Sequence, residues 1–102
     1  MFESRKSHRF IKQNIYCIIP QKSGFEPMRK VLNISLGGML VEKESSEENI
    51  GSIGETGVYS LFFDNEETIT VEGRIIREQE RSIAIKFDLD DNQQSKLQSL
   101  LV

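Results

Sequence analysis

The sequence predicts an all-β fold, a six-stranded antiparallel barrel followed by one short C-terminal α-helix. Three observations predict it. Apolar and polar residues alternate with a period of two through most of the chain, which is typical of strands that bury one face. Breaks rich in glycine and polar residues divide the alternation into six short segments, and a sheet of many short strands favours closure on itself. The last residues change to a helical period.

The six predicted strands differ in how clearly they alternate. Residues 68–77 have the strongest pattern, because Ile69, Val71, Gly73 and Ile75 fall on one face. Residues 82–87 repeat it, and the polar connection at 78–81 predicts a hairpin between the two strands. The other strands are predicted at residues 14–19, 28–35, 38–42 and 57–63. The breaks fall at residues 20–24, 37–38, 45–54 and 64–65.

The C-terminal residues predict a single short helix. Asp90 and Gln93, three positions apart, have the pattern of a capping box. Leu97, Leu100 and Leu101 follow at helical spacing, so the helix has one apolar stripe. Because a lone helix of this length is marginal in water, we expect the stripe to pack over one end of the barrel.

Composition and charge place the chain among soluble cytoplasmic proteins. Its 102 residues suit one domain, and 37% of them are hydrophobic and 28% charged. No apolar run approaches the roughly 20 residues that span a bilayer, and no apolar stretch follows the charged N-terminus as in a secretory signal. Cys17 is the only cysteine, which fits a reducing compartment. We therefore expect a cytoplasmic location without membrane insertion.

Patterns of catalytic or metal-ligating residues are missing. His8 and Cys17 are the only histidine and cysteine, and no metal-ligand spacing is present. Cys17 alternates with Ile15 and Ile19 and is better explained as a small core residue. The net charge of −3 argues against DNA or RNA as a partner. These features predict a binding module that is not an enzyme and has neither a metal nor a cofactor.

The polar groups that could form a site lie around a Gly-Gly bend. On a strand, Asn33 and Ser35 project from the same face, and Leu32 and Ile34 are expected on the opposite, core face. The outward amide and hydroxyl can bond a base edge or a phosphate, and Gly38 lets a ligand approach the backbone. An ordinary polar turn between two strands is the alternative.

Arg5, Lys6 and Arg9 form a basic cluster at the start of an acidic chain. Guanidinium groups bind phosphate in a bidentate manner and also bond guanine. The cluster therefore suggests one defined anionic partner. A solvated N-terminal tail is the alternative.

The spacing of Arg5 and Arg9 is weak evidence on its own, because Arg77 and Arg81 repeat it. This second pair falls at the predicted hairpin connection, where surface ion pairs with the neighbouring glutamates are expected. We therefore expect Arg77 to matter little for binding. The first pair differs in its position, just before the first strand and ahead of Asn33.

Together, Arg5-x-x-x-Arg9 and Asn33-x-Ser35-x-x-Gly38 resemble the two motifs of the PilZ family. They occur in the family's order and within its strand pattern. The two late strands and the C-terminal helix are also similar to that family, so the resemblance covers nearly the whole chain.

The resemblance implies a Greek-key barrel that binds cyclic di-GMP on its outer surface. Within the single domain of residues 1–102, it assigns a flexible ligand-wrapping segment to residues 1–12, the barrel to 13–88 and the helix to 90–102. The residues implied to bind are Arg5 and Arg9, on phosphate and guanine, Asn33 and Ser35, on a guanine edge, and Gly38, which makes room, with secondary contacts from Lys6 and Gly37.

Three positions depart from the most common family pattern. Ser4 stands where many members have a further arginine. Ala84, expected to point outward, replaces a glycine. Asn33 stands in place of aspartate and so has one carboxylate acceptor fewer for the N1–H and N2–H donors of guanine. A weaker affinity for the ligand is the expected consequence.

The function implied by the resemblance is that of a stand-alone bacterial receptor. It would bind the second messenger cyclic di-GMP and relay the signal to a downstream protein that the sequence does not identify. A PilZ-like adaptor that binds no nucleotide is the first alternative. A small oligonucleotide-binding barrel is the second, with Phe10, Tyr16 and Phe25 as stacking residues, and the negative net charge argues against it.

Overall fold

The computed structural model describes residues 14–18, 28–43 and 51–101. Its elements are β1 (Ile15–Ile18), β2 (Met28–Ser35), β3 (Gly38–Glu42), β4 (Thr56–Phe63), β5 (Thr68–Glu78), β6 (Ser82–Asp88) and α1 (Asp91–Leu101). The strands form a closed antiparallel barrel in the order β1-β2-β3-β6-β5-β4. Because β4 returns to lie beside β1, the order β4-β1-β2-β3 is a Greek key. The predicted fold class is confirmed.

The barrel closes around a row of apolar side chains from each strand. The core includes Ile15, Cys17, Val31, Ile34, Met39, Val41, Tyr59, Leu61, Val71, Ile75, Ile83 and Ile85. Each of these side chains alternates with an outward neighbour, as the pleat requires. Burial of this apolar surface is the main force that stabilises the barrel.

Two β-bulges reverse the alternation on β2 and β5. On β2 the register shifts between Val31 and Asn33, so Leu32 is an extra residue without a partner on β3. Leu32 is therefore 36% exposed, and the prediction that it lies in the core is wrong. On β5 the register shifts between Ile75 and Arg77, and the extra residue there, Ile76, is 47% exposed.

The helix begins with the predicted capping box. The N–H of Gln93 donates to the Asp90 carboxylate at 2.7 Å, and the N–H of Asp90 donates to the Gln93 amide oxygen at 3.1 Å. The Gln93 amide also donates to the carbonyl of Thr70 on β5. Leu97 and Leu101 are buried in the core, which confirms the predicted packing. Among the described residues, no helix is long and apolar enough to cross a membrane.

A buried lysine holds the end of β5. Lys43 follows β3 and is only 2% exposed. Its ammonium group lies 3.1 Å from the Glu78 carboxylate and donates to the carbonyl of Gln79. The hydrogen bonds offset the cost of burying this charge, and loss of one partner would leave the charge uncompensated. The contact fixes the side chain of Glu78 at the C-terminal end of β5.

Burial keeps one thiol and one phenol hydroxyl in their protonated forms. Burial raises the pKa of the Cys17 thiol from 9.0 to about 12, although the positive charge of Arg29 acts in the opposite direction. Burial, together with Cys17 and Glu55, raises the pKa of the Tyr59 hydroxyl from 10.0 to about 12. Both groups are therefore neutral core members at physiological pH, and Cys17 is a poor nucleophile there.

The raised pKa values predict loss of stability at alkaline pH. Above about pH 9 the unfolded chain releases the Cys17 proton whereas the folded protein retains it, so the free energy of unfolding falls as pH rises. The limiting slope is about 1.4 kcal/mol per pH unit for each such group. Urea unfolding of the wild type and of Cys17→Ala between pH 8 and pH 11 tests this. The variant should lose less stability over that range, and an identical decline would contradict the assignment.

Candidate functional site

A shallow groove of about 380 Å³ crosses the outer face of β2, β3, β6 and β5. Its lining includes Asn33, Ser35, Leu40, Ile76, Arg77, Ala84 and Lys86. The pairing register arranges the outward residues in two rows that run across the strands. One row is Asn33, Leu40, Ala84 and Arg77, and the next is Ser35, Gly38, Lys86 and Arg74.

The two bulges determine which side chains enter this groove. Arg29 and Val31 of β2 are buried, so strict alternation would turn Asn33 inward as well. Leu32 is the extra residue that shifts the phase, and Ile34 instead of Asn33 becomes the next core residue. The predicted common face of Asn33 and Ser35 is thus confirmed, although the strand reaches it through a bulge.

Asn33 has an acceptor that lacks a partner. Its side-chain oxygen Oδ1 is buried and makes no hydrogen bond with any described residue. An unpaired buried acceptor costs about 1–3 kcal/mol. A ligand that donates an N–H at this edge of the groove would recover that free energy.

Ser35 and Gly37 stabilise the turn between β2 and β3. The N–H of Gly37 donates to the Ser35 hydroxyl oxygen at 3.2 Å. The carbonyl of Gly37 accepts a hydrogen bond of 3.0 Å from the N–H of Phe87 on β6. The Ser35 oxygen is therefore engaged as an acceptor, and its O–H hydrogen can still donate to a ligand.

Gly38 is required by the barrel itself. A Cβ atom at this position would collide with the carbonyl oxygen of Ile85 on β6 and approach the Cα of Lys86 to 3.3 Å. Gly37 differs, because a Cβ atom there would meet only the Ser35 hydroxyl oxygen at 3.8 Å. Gly38 thus permits close pairing of β3 with β6 in the ligand-free protein.

The cationic side chains on the β5–β6 side of the groove, Arg77 and Lys86, were not among the binding residues predicted from the sequence. Arg77 lies within β5, in agreement with the predicted strand 68–77, and its side chain lines the groove. The expected ion pair of Arg77 with Glu78 or Glu80 is absent within the described ranges, and the Glu78 carboxylate contacts Lys43. Over the described ranges, no ion pair involves Arg77, Lys86 or Arg74.

Ala84 forms the floor between the two sides of the groove. It points outward, as expected, and is 8% exposed between Leu40 and Arg77. A second concavity of about 570 Å³ lies beside the groove on β4, β5 and β6, and Lys86 lines both. In the described part of the chain, no three histidine, cysteine, aspartate or glutamate side chains cluster as metal ligands would.

Other predicted residues either lie outside the described ranges or lie elsewhere on the barrel. Arg5, Lys6 and Arg9 lie outside the described residues, as do Phe10 and Phe25. Tyr16 lies on β1, where it pairs with Lys30 and Phe62, and it does not line the groove. The structure therefore brings together Asn33, Ser35, Gly37 and Gly38 from the predicted set.

Comparison with known proteins identifies relatives of this barrel. The model of the PilZ domain family matches residues 3–102. The solved PilZ domain with c-di-GMP of YcgR from Escherichia coli is similar, with a TM-score of 0.79 at 12% identity, over 97% of this chain and 89% of that one. No curated protein sequence matches.

Two longer proteins contain a similar barrel. The K. pneumonia MrkH–c-di-GMP complex has a TM-score of 0.78 at 17% identity, over 98% of this chain and 51% of that one. The Bacillus subtilis inhibitor of motility, MotI/DgrA, has a TM-score of 0.62 at 18% identity, over 98% and 48% respectively. This chain spans about half the length of these two proteins. At such identities the likeness establishes the fold.

The two glycines of the turn offer a matched test of the local packing. Gly38→Ala should destabilise the protein by about 2 kcal/mol, because its Cβ overlaps the backbone of β6. Gly37→Ala should change stability by less than about 0.5 kcal/mol, since its Cβ has space. Urea unfolding of both variants measures the difference. Equal stabilities would contradict the described contact between β3 and β6.

Proposed function

This chain belongs to the PilZ domain family, and on that premise we propose that it binds cyclic di-GMP in the groove across β2, β3, β6 and β5. The ligand is a dianion with two guanine bases. The groove presents an amide, a hydroxyl and cationic side chains on a single face. In this proposal the protein is a receptor and catalyses no reaction.

The observation that carries the proposal is the unpaired acceptor of Asn33. Its buried Oδ1 has no hydrogen-bond partner among the described residues, and guanine has adjacent N1–H and N2–H donors on one edge. Either donor would satisfy this oxygen. The Ser35 hydroxyl, on the same face, supplies a donor or acceptor beside it.

Arg5 and Arg9 complete the proposed site from the N-terminal side of β1. Their guanidinium groups bind the phosphates in a bidentate manner and bond or stack on guanine. Lys6 and Gly37 contribute secondary contacts. Gly38 allows the ligand to approach the backbone, in addition to its role in the sheet.

We propose that the signal reaches a downstream protein because ligand binding changes the surface of the receptor. When Arg5 and Arg9 contact the ligand, the N-terminal segment and the filled groove form a new surface for a downstream protein. Coupling of ligand contact to the ordering of a segment is a known type of switch. Since cyclic di-GMP is a bacterial second messenger, we propose that the receptor acts in the bacterial cytoplasm.

The solved relatives support the choice of ligand. The structures of both the E. coli YcgR PilZ domain and K. pneumonia MrkH were solved with c-di-GMP. This chain retains both motifs that the family uses, Arg5-x-x-x-Arg9 and Asn33-x-Ser35-x-x-Gly38. The buried Asn33 oxygen, which has no partner among the described residues, favours a hydrogen-bond-donating ligand over an adaptor that binds no nucleotide.

Calorimetric titration with cyclic di-GMP tests the proposal. Arg5→Ala and Arg9→Ala should each weaken binding by about 2 kcal/mol, because a charged hydrogen-bond partner is lost. Asn33→Ala should also weaken binding, and it should not destabilise the ligand-free protein, because it removes a buried acceptor that has no partner.

Arg81→Ala is the matched control for the arginine variants, since this exposed residue lies in the turn between β5 and β6, outside the groove. Its affinity should equal that of the wild type. A folded wild-type protein that shows neither heat nor chemical-shift change with cyclic di-GMP would refute the receptor assignment and favour the adaptor alternative.

A further inference from the structure

We propose that Arg77 is a further ligand-binding residue, which holds a phosphodiester group of the ligand from the side of the groove opposite Asn33. This inference rests on the proposed function and extends it to a residue outside both motifs. It reverses the expectation from sequence that Arg77 matters little for binding.

The bulge on β5 places Arg77 on the outer face. Ile69, Val71, Gly73 and Ile75 all point into the barrel, and strict alternation would turn residue 77 inward with them. The extra residue at position 76 reverses the inward–outward alternation, so Arg77 points outward and pairs with the outward Ala84. A guanidinium group on the outer face therefore requires a local break in the strand.

The same arrangement leaves Arg77 without a carboxylate. Glu78 is the nearest carboxylate in sequence, and its side chain contacts the buried Lys43 ammonium at 3.1 Å. In the part of the chain that the structure describes, Arg77 has no ion pair. Its charge is thus available to a bound anion.

Neighbouring cations strengthen the preference for an anion. Lys86 lines the groove beside Ala84, and Arg74 is the cross-strand partner of Lys86. Like charges placed directly opposite each other are unfavourable in a sheet, and an anion between them would relieve the repulsion. Two carboxylates, Glu72 and Asp88, face each other in the row beyond Lys86 and Arg74. The carboxylate of Glu42 lies in the row on the other side of Ala84, where Glu42 pairs with Ser82.

The dimensions of the groove suit a ligand that contacts both sides. Asn33 and Arg77 occupy one cross-strand row and are separated by the strands β3 and β6. Three interstrand spacings amount to about 14 Å, and the small side chain of Ala84 lies between the two sides. A base bonded at Asn33 would thus leave a phosphodiester directed towards Arg77, whose guanidinium can bind it in a bidentate manner.

The test is calorimetric titration of cyclic di-GMP into the full chain and its variants. We expect Arg77→Ala and Arg77→Gln to bind at least tenfold more weakly than the wild type, on the order of 1.4 kcal/mol. Arg81→Ala, the control from the adjacent turn, should bind within twofold of the wild type. Thermal unfolding without ligand should show that both Arg77 variants are folded, because the side chain is exposed.

The outcomes separate this inference from the proposed function. If the wild type binds and the Arg77 variants bind as tightly as Arg81→Ala, the inference alone fails. If the folded wild type does not bind, the proposed function fails with it. The loss caused by Arg77→Gln should also shrink between about 0.05 M and 0.5 M salt, since screening weakens a contact with phosphate. A loss that is independent of salt would overturn the assignment to a phosphodiester.

Discussion

Every residue on a strand of a closed barrel must point either into the core or out to the surface, and the proposed site depends on where that alternation is interrupted. Leu32 and Ile76 are each an extra residue on one strand of a pair. Each extra residue reverses which of the following side chains point outward, on β2 and on β5, the two strands at the edges of the groove. As a result, Asn33 and Arg77 lie in the same outward row instead of inside the barrel.

These interruptions have energetic consequences. Two large apolar side chains, Leu32 and Ile76, are partly exposed, and the Oδ1 atom of Asn33 is buried without a partner among the described residues. None of these features stabilises the ligand-free fold. The apolar core, the capping box of α1 and the contact between Lys43 and Glu78 stabilise it elsewhere. Local departures of this kind are expected at functional sites.

Much of the fold could be predicted from the sequence, because period-two alternation and the capping box depend on local physics. All six strands, the helix and the common face of Asn33 and Ser35 follow from such patterns. The bulges could not be predicted by strict alternation, and Leu32 was wrongly expected in the core for that reason. The place of Arg77 in the groove depends on the second bulge and on pairing with β6, which no local pattern specifies. Each bulge contains an adjacent apolar pair, Val31-Leu32 or Ile75-Ile76. Such a pair is a weak signal, because Leu61-Phe62 is also adjacent and apolar and its register is unbroken. The requirement for Gly38 depends on contact with a distant strand, which no local pattern specifies.

We propose the outer face of β2, β3, β6 and β5 as the ligand-binding surface, and the assignments of Asn33 and Arg77 both depend on this proposal. Amide proton–nitrogen correlation spectra recorded during titration with cyclic di-GMP test it most directly, because each backbone amide reports separately. We expect the largest shifts at Asn33, Gly38, Ala84 and Arg77, and small shifts at Tyr16 on the opposite side of the barrel. Saturable shifts centred on β1 and β4, with the groove amides unchanged, would contradict it.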